Sequence, residues 1–306
     1  MKVYSLAWGT AFLTALRPRQ WTKNLIVFAA PLFAFRVQID AIAGSTLAFI
    51  LFCCVSSSFY LINDVIDIKA DRLHPIKRHR PIASGLVSVP LAVLSAIALL
   101  SIPLLIGWWH SRGLGGAIVV YALLQIAYNL KLKHVVILDI FAIAGGFILR
   151  AFAGAASTFV VLSPWFLICT GMLALFLAIE KRKAELRKST RQTRSVLQFY
   201  SIALLKRMEN LVTTGTVMAY TLWSSGQQVR GATTAWMLLT VPFVLYGVFR
   251  YQYLSEAHSE EQAERPEEIL LSDRPLQLTL LGWVLSIALI LFFKHQNWLI
   301  PMKLIG

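Results

Sequence analysis

Uninterrupted apolar runs of about twenty residues recur along the whole of this 306-residue chain. Folded as an α-helix rising about 1.5 Å per residue, such a run can cross the roughly 30 Å hydrocarbon core of a bilayer. Charged residues make up 14% of the chain, against about 25% in soluble domains. The runs lack the alternation of membrane strands, and a backbone in lipid must satisfy its own hydrogen bonds. The sequence therefore predicts an all-α, polytopic membrane protein.

We predict nine transmembrane helices joined by polar loops into a single transmembrane transferase domain over residues 1–306. Pro31 and Pro103 interrupt two of the runs, which membrane helices tolerate when neighbouring groups satisfy the freed carbonyls. The predicted spans are 21–37, 41–62, 86–109, 114–130, 135–154, 163–180, 208–224, 235–250 and 275–293.

The distribution of Lys and Arg predicts the orientation. With the N-terminus in the cytoplasm, 23 of the 29 basic residues fall on the cytoplasmic side and five on the other, while Arg150 lies within a span. This asymmetry follows the positive-inside rule and predicts a multi-pass protein of the cell (plasma) membrane. It also explains the net charge of +14 without a nucleic-acid partner. The cytoplasmic active-site loops are predicted near 63–85, 131–134, 181–207 and 250–274.

Four oxygen-bearing side chains close the second predicted span in the pattern NDxxDxxxD: Asn63, Asp64, Asp67 and Asp71. On one continuous helix they fall within an arc of about 100°. Carboxylates so close together repel one another, and a cation removes that penalty. Hard oxygen ligands favour Mg²⁺, which binds through a few carboxylates and the substrate's phosphates. We predict Mg²⁺ on Asn63, Asp67 and Asp71, with Asp64, Asp67 and Asp71 as catalytic groups. A solvated helix end paired with nearby bases is the alternative.

Basic residues recur on the same predicted side of the membrane. Because Mg²⁺ offsets only part of the charge of a diphosphate, such a site needs further cations. Any one of these bases could instead be a topology determinant whose side chain reaches the interface. The predicted substrate-binding bases are Arg17, Lys23, Lys77, Arg80, Lys131, Lys133, Lys181 and Arg182.

Two ionisable residues, Asp139 and Arg150, lie within the fifth predicted span, about three helical turns apart. Charges inside a membrane face the protein interior by default. Asp139 could orient a lysine or help to hold metal, and Arg150 could hold helices together or meet a lipid headgroup. Of the other candidates, Glu185 could pair with Lys181 at a spacing of four residues. Tyr128 could be an ordinary interfacial aromatic residue.

These residues together resemble the UbiA superfamily of intramembrane prenyltransferases. The nine spans, the NDxxDxxxD motif and the segment YNLKLK carry the general likeness. The likeness is closer to the decaprenyl-phosphate phosphoribosyltransferase branch. The segments that carry it are RPRQWTKN (17–24), YLINDVIDIKADRLHPIKRHRPIASG (60–85), LKHVVILDI (132–140), EKRKAEL (180–186) and PEEILLSDRPLQL (266–278).

The resemblance implies Mg²⁺-dependent transfer of 5-phosphoribose from phosphoribosyl diphosphate (PRPP) to a polyprenyl phosphate, with release of diphosphate. It also implies that Tyr128, Asp139 and Glu185 join the bases in substrate binding. Prenyltransferases of the superfamily carry a second aspartate-rich motif, whereas here no Asp occurs between Asp139 and Asp273. The basic stretch EKRKAELRK in its place suits a 5-phosphate.

Two other functions are compatible with parts of the sequence. A prenyltransferase acting on an aromatic acceptor would use the same first motif, but it should carry the second one. A transporter or channel would place ionisable residues near the bilayer midplane, often with internal repeats. The acidic loop 254–274 is either a solvated surface loop or a cap over the active site. An oligomer is compatible with the sequence, but the sequence does not determine the oligomeric state.

Overall fold

The computed structural model of the chain describes residues 2–34, 38–188, 195–226, 231–257 and 272–299. No strand occurs within these ranges, so the all-α prediction is confirmed. The α-helices are α1 Lys2–Ala15, α2 Ala29–Phe33, α3 Ile39–Ile66, α4 Ile68–Leu73, α5 Val89–His110, α6 Arg112–Leu130, α7 Leu138–Thr158, α8 Pro164–Lys188, α9 Ile202–Ser224, α10 Val241–Ala257 and α11 Arg274–His295. Short 3₁₀ helices occupy Pro18–Phe28, Lys77–His79, Leu132–His134, Ser195–Phe199 and Ala235–Thr240.

Six of the described helices are long and apolar enough to cross a membrane: α3, α5, α6, α7, α8 and α11. The predicted count of nine spans is therefore not confirmed. The predicted span 21–37 is not one α-helix, because 3₁₀ turns cover Pro18–Phe28 and α2 has five residues. The predicted span 208–224 lies on the more polar α9. The predicted span 235–250 divides between 3₁₀ turns and the 17-residue α10.

The helices also extend further than the sequence predicts. Helix α8 continues to Lys188, so the first residues of the predicted loop 181–207 are helical. Helix α10 likewise continues to Ala257, into the predicted loop 250–274. Asp273 caps α11 by accepting a hydrogen bond of 2.8 Å from the amide of Leu276, and Pro275 lies in the first turn, as is common at helix starts. Residues 258–271, which hold most of the predicted acidic loop, lie outside the described ranges.

The first of two compact units comprises Met1–Leu32, Arg36–Gln125 and Leu149–Val160. Helix α3 is its centre and packs against α5 and the 3₁₀ segment Pro18–Phe28. Phe52 and Val55 of α3 are buried with Ile118 of α6 in one apolar cluster.

Polar side chains fasten the segment Pro18–Phe28 to α3. Trp21 Nε1 donates to Ser57 Oγ at 3.0 Å, and Ser57 Oγ donates to the carbonyl of Leu16 at 2.9 Å. The buried Asn24 amide donates to Cys53 Sγ at 3.2 Å. These tertiary contacts hold the non-α-helical segment against α3, and irregular backbone at membrane depth is tolerated where protein buries it.

Arg150, on α7, braces the same segment. Its Nε donates to Asn24 Oδ1 at 2.6 Å, and its Nη2 donates to the hydroxyl of Tyr121 at 2.7 Å. The guanidinium carbon also lies 4.7 Å from the centre of the Tyr121 ring, within cation–π range. Of the two roles that the sequence left open for Arg150, the structure supports holding helices together.

The second unit comprises Phe33–Phe35, Ile126–Ile148 and Val161–Gly306. Helix α8 packs along α9, and α10 packs against α9 and α11. Phe176 of α8, Leu205 of α9 and Tyr251 of α10 belong to one buried cluster. Tyr220, Trp223 and Trp283 form a separate aromatic cluster.

A close backbone approach at Gly154 leads to our first prediction. A Cβ atom at Gly154 would lie 1.9 Å from the carbonyl oxygen of Val27, so Gly154→Ala must displace the segment Pro18–Phe28. We expect a loss of about 1–3 kcal/mol in the free energy of unfolding, measured by denaturation in mixed micelles. The matched control is Gly116→Ala on α6, where an added Cβ meets nothing within 4 Å. Equal stability of the two variants would show that this approach is not a real constraint.

Candidate functional site

Helix α3 ends inside the acidic motif instead of running through it. It ends at Ile66, α4 begins at Ile68, and Asp67 between them has φ −85° and ψ 3°. The amide of Asp67 still donates to the carbonyl of Asn63, and that of Asp71 to the carbonyl of Asp67. Because of this bend at Asp67, the prediction of one continuous helix through the motif is wrong.

Two acids of the motif turn inward and meet an arginine. Asp64 and Asp71 are buried, with 3% and 2% of their surface exposed. One nitrogen of Arg80, Nη1, lies 3.1 Å from Asp64 Oδ1 and 2.7 Å from Asp71 Oδ2. A single positive group therefore bridges carboxylates from α3 and α4. Without such a partner, two buried carboxylates would carry a large desolvation cost.

Arg17 supplies a second positive group to the same site. Its Nη2 lies 2.6 Å from Asp64 Oδ1, and its guanidinium carbon lies 4.8 Å from the centre of the Tyr60 ring. Arg17 has φ 56° and ψ 61°, a left-handed conformation that is uncommon outside glycine, and the 3₁₀ segment begins directly after it. We call Asp64, Asp71, Arg17 and Arg80 the carboxylate–arginine cluster.

The other predicted residues of this unit lie outside that cluster. Asp67 is exposed and Asn63 is half-buried. Lys77 is exposed, and Lys23 Nζ lies 2.5 Å from Gln20 Oε1. Arg72, the basic residue directly after Asp71, donates to the carbonyl of Ala83 at 3.0 Å.

The oxygen donors of the cluster have the chemistry that a divalent cation requires. Both buried acids present hard oxygen atoms, the ligands that Mg²⁺ prefers, and one Arg80 nitrogen already bridges them. Exposed Asp67 and half-buried Asn63 add oxygen atoms at the helix bend. Within the described ranges, no three acidic, histidine or cysteine side chains converge as a ready metal site. In this structure Arg17 and Arg80 contact the oxygen atoms of the two buried carboxylates.

A second group of ionisable residues, in the second unit, centres on Arg182 of α8. Arg182 and Asp139 are both fully buried, and Arg182 Nε lies 2.6 Å from Asp139 Oδ2. Arg182 Nη1 also pairs with Glu185 Oε2, one turn further along α8. Its Nη2 donates to the hydroxyl of Tyr128 at 3.2 Å. We call these four residues and Tyr200 the Arg182 network.

Tyr200 completes the Arg182 network, and the sequence analysis missed it. Its hydroxyl donates to Asp139 Oδ1 at 2.6 Å and accepts from the amide of Ile137 at 2.6 Å. Burial and then the hydrogen bond to Asp139 raise the pKa of Tyr200, so the phenol stays protonated. Ile137 has φ 71°, a strained value for a β-branched residue. No sequence signal joins Tyr200 to Asp139, which lies 61 residues away.

The stretch EKRKAEL does not present an open basic surface. Lys183 is 1% exposed. Its ammonium pairs with Glu180 Oε1 at 2.8 Å and with Glu209 of α9. Arg182 is likewise enclosed by protein groups, so its direct access to a ligand is closed in this structure. Lys181 is half-buried.

Two predicted bases near the end of α6 are more accessible. Lys131 is exposed and Lys133 is half-buried, on either side of the first residue of the 3₁₀ helix Leu132–His134. Tyr128, three residues before Lys131, is half-buried and belongs to the Arg182 network. That network therefore fixes the end of the helix from which these lysines project.

The fold and the site together define the class of protein. It is an all-α membrane protein with a carboxylate–arginine cluster at the end of the long helix α3. The chain belongs to the UbiA prenyltransferase family, whose model matches residues 23–271. The resemblance drawn from the sequence is confirmed.

Two relatives support the family assignment, and one solved structure supports the fold. It is 37% identical over 301 residues to the decaprenyl-phosphate phosphoribosyltransferase of Mycolicibacterium smegmatis, covering 93% of each chain. It is 35% identical to the enzyme of that name from Corynebacterium glutamicum, covering 92% of this chain and 86% of the other. A UbiA homologue from Archaeoglobus fulgidus, solved with GPP and Mg²⁺, superposes with a TM-score of 0.68 at 17% identity, covering 92% and 99%. The last likeness establishes the fold.

Proposed function

We propose that this protein transfers 5-phosphoribose from PRPP to a polyprenyl phosphate and releases diphosphate, which makes it a pentosyltransferase. The likeness to two decaprenyl-phosphate phosphoribosyltransferases over nearly the whole chain carries the proposal. Because the likeness covers both compact units, we assign the activity to the whole chain as one catalytic domain.

The acidic motif and its arginines are assigned to the diphosphate of the donor. Asp67 and Asp71 would hold Mg²⁺, with Asn63 and Asp64 as direct or supporting ligands. When bound, Mg²⁺ would neutralise charge on the leaving diphosphate. Arg80 and Arg17 would bind diphosphate oxygens, since guanidinium groups suit paired oxygen acceptors. Lys23 and Lys77 would add positive charge near the same diphosphate.

The transfer itself requires little proton chemistry. An oxygen of the lipid phosphate attacks C1 of the ribose, and the C1–O bond to diphosphate breaks with its electron pair leaving on diphosphate. The lipid phosphate is already anionic at neutral pH, so no strong general base is needed. Positive charge develops on the ribose, which the Asp64 carboxylate would stabilise, and cationic side chains stabilise the leaving group.

The remaining predicted substrate-binding residues lie in the second unit. Lys131 and Lys133 are the accessible bases that we assign to the 5-phosphate, with Lys181 as a further candidate. Arg182 would position other groups and would not bind the substrate itself, because it is enclosed by Asp139 and Glu185 and hydrogen-bonded to Tyr128. These contacts would keep the end of α6 in place while the lysines bind an anion.

The substrates agree with the predicted membrane orientation. PRPP is a water-soluble cytoplasmic metabolite, so the N-terminus and the site loops would face the cytoplasm of the plasma membrane. The polyprenyl tail would lie in lipid with its phosphate at the interface. A cell-envelope polymer built on a lipid carrier is the kind of product such a reaction serves.

A two-donor assay tests this proposal. Purified protein is incubated with Mg²⁺ and either labelled PRPP plus polyprenyl phosphate or labelled prenyl diphosphate plus an aromatic acid. We expect label from PRPP to enter the lipid fraction with release of one diphosphate, and omission of Mg²⁺ to stop it. Transfer of the prenyl label alone would assign the protein to aromatic prenylation, and no transfer in either mixture would contradict an enzymatic role.

A further inference from the structure

The carboxylates of the carboxylate–arginine cluster, which are assigned to the metal, are already paired with arginines. Arg80 Nη1 contacts both Asp64 and Asp71, and Arg17 contacts the same oxygen of Asp64 as Arg80 does. A guanidinium group does not lose its proton in proteins. A metal ion approaching these carboxylates therefore meets a permanent positive charge that only movement of the arginine can remove.

The arginines are placed so that they can move. The side chains of Arg80 and Arg17 are 29% and 31% exposed, whereas those of Asp64 and Asp71 are 4% and 3% exposed. The backbone of Arg80 is fixed, since its amide donates to the carbonyl of Lys77 and its carbonyl accepts from the amide of Ser84, both at 2.9 Å. The long side chain can therefore pivot on a fixed base, while the acids stay buried.

We infer that Arg80, assisted by Arg17, is a resident counter-ion that leaves the carboxylates only when a metal and a diphosphate arrive together. If Arg80 rotated away from Asp64 and Asp71 without an anion to bind, the two buried carboxylates would repel one another. The guanidinium would also lose its partners. A diphosphate removes that penalty by accepting the guanidinium. This inference rests on the proposed function and adds to it a coupling between the binding of metal and the binding of diphosphate.

The inference makes metal and diphosphate mutually dependent. Each ligand strengthens the other by the same factor, because coupling between two binding sites is reciprocal. Metal alone competes with Arg80 for the acids, and diphosphate alone competes with the acids for Arg80. The device would keep Mg²⁺ off the protein until a donor is present.

The test compares two arginines of the same loop. Arg80→Gln removes the bridging charge, and Arg78→Gln removes an equal charge whose side chain is exposed and contacts His79 instead of the acids. Affinity for Mn²⁺ alone is measured by electron paramagnetic resonance on the purified protein, and affinity for a preformed Mg²⁺–diphosphate complex by calorimetry. Neither readout requires turnover.

The two affinities should change in opposite directions in Arg80→Gln. We expect Mn²⁺ alone to bind about tenfold more tightly than in Arg78→Gln, and Mg²⁺–diphosphate to bind about tenfold more weakly. If both affinities fall, or if neither differs between the two variants, the inference is overturned. Arg17→Gln repeats the comparison, with smaller changes of the same signs, should Arg80→Gln not fold.

The wild-type protein separates this inference from the proposed function. If it binds Mg²⁺–diphosphate but also binds Mn²⁺ alone as tightly as Arg80→Gln does, the counter-ion role fails while the donor site stands. If it binds no Mg²⁺–diphosphate at all, the donor site fails, and the counter-ion role fails with it.

Discussion

Asp71→Asn is expected to lower phosphoribosyl transfer by about 10³-fold or more while the protein still folds. The substitution keeps the shape of the side chain but removes one of the two buried charges that Arg80 bridges. The site would lose an anionic oxygen ligand for the metal and one of the two acids that hold the arginine. Initial rates with labelled PRPP at saturating polyprenyl phosphate measure the effect. Calorimetry of Mg²⁺–diphosphate binding shows how much of the loss arises in binding.

Asp40→Asn is the matched control for this prediction. Asp40 lies in the first turn of α3, the helix that carries Asp64 at its other end, and it is exposed. The same change of charge at that position should leave the rate within about twofold, in line with the small effects of substitutions on exposed surface. Full activity in Asp71→Asn would remove Asp71 from the metal and donor assignment.

Arg182→Met is expected to lower the free energy of unfolding by about 3–5 kcal/mol. The substitution retains the apolar stem of the side chain but leaves the buried Asp139 without its cationic partner and Glu185 without its pair on α8. An uncompensated buried charge, more than the loss of the pair itself, causes the penalty. Unfolding in mixed micelles, followed by circular dichroism, measures the change.

Two companion variants separate this mechanism from a general loss of charge. Arg187→Met changes the same residue type on the same helix, where the arginine is 30% exposed and lies 3.7 Å from Glu256. Its loss should cost no more than about 1 kcal/mol. Adding Asp139→Asn to Arg182→Met should restore part of the stability, because the orphaned charge is then gone. A double variant no more stable than Arg182→Met would contradict the proposed cause.

The sequence was sufficient for the fold class and the family, because both depend on features that are local in the chain. Apolar length and missing charge require helices in lipid, and the NDxxDxxxD block carries the likeness to UbiA proteins. Span boundaries were less predictable. Residues Pro18–Phe28 form 3₁₀ turns because Trp21 and Asn24 find partners on α3, 36 and 29 residues further along. Periodicity within a segment does not report such contacts.

The candidate site was predicted in its composition but not in its arrangement. Residue spacing grouped the acids of the motif, yet the bend at Asp67 separates exposed Asp67 from buried Asp64 and Asp71. The charge count predicted that EKRKAEL is an open basic surface. In the structure Asp139, 43 residues away, neutralises Arg182, and Glu209, 26 residues away, neutralises Lys183. Pairing of distant charges decides which cations remain available to a ligand, and one-dimensional patterns do not encode it.

A structure determined with Mn²⁺ and PRPP tests the central claim most directly, since anomalous scattering locates Mn²⁺ without ambiguity. We expect the metal peak beside the Asp71 carboxylate at the α3–α4 bend, with the Arg80 guanidinium turned from the acids to the diphosphate. A metal peak elsewhere, with the Arg80 contacts to Asp64 and Asp71 intact while PRPP is bound, would contradict the assignment of this cluster as the donor site.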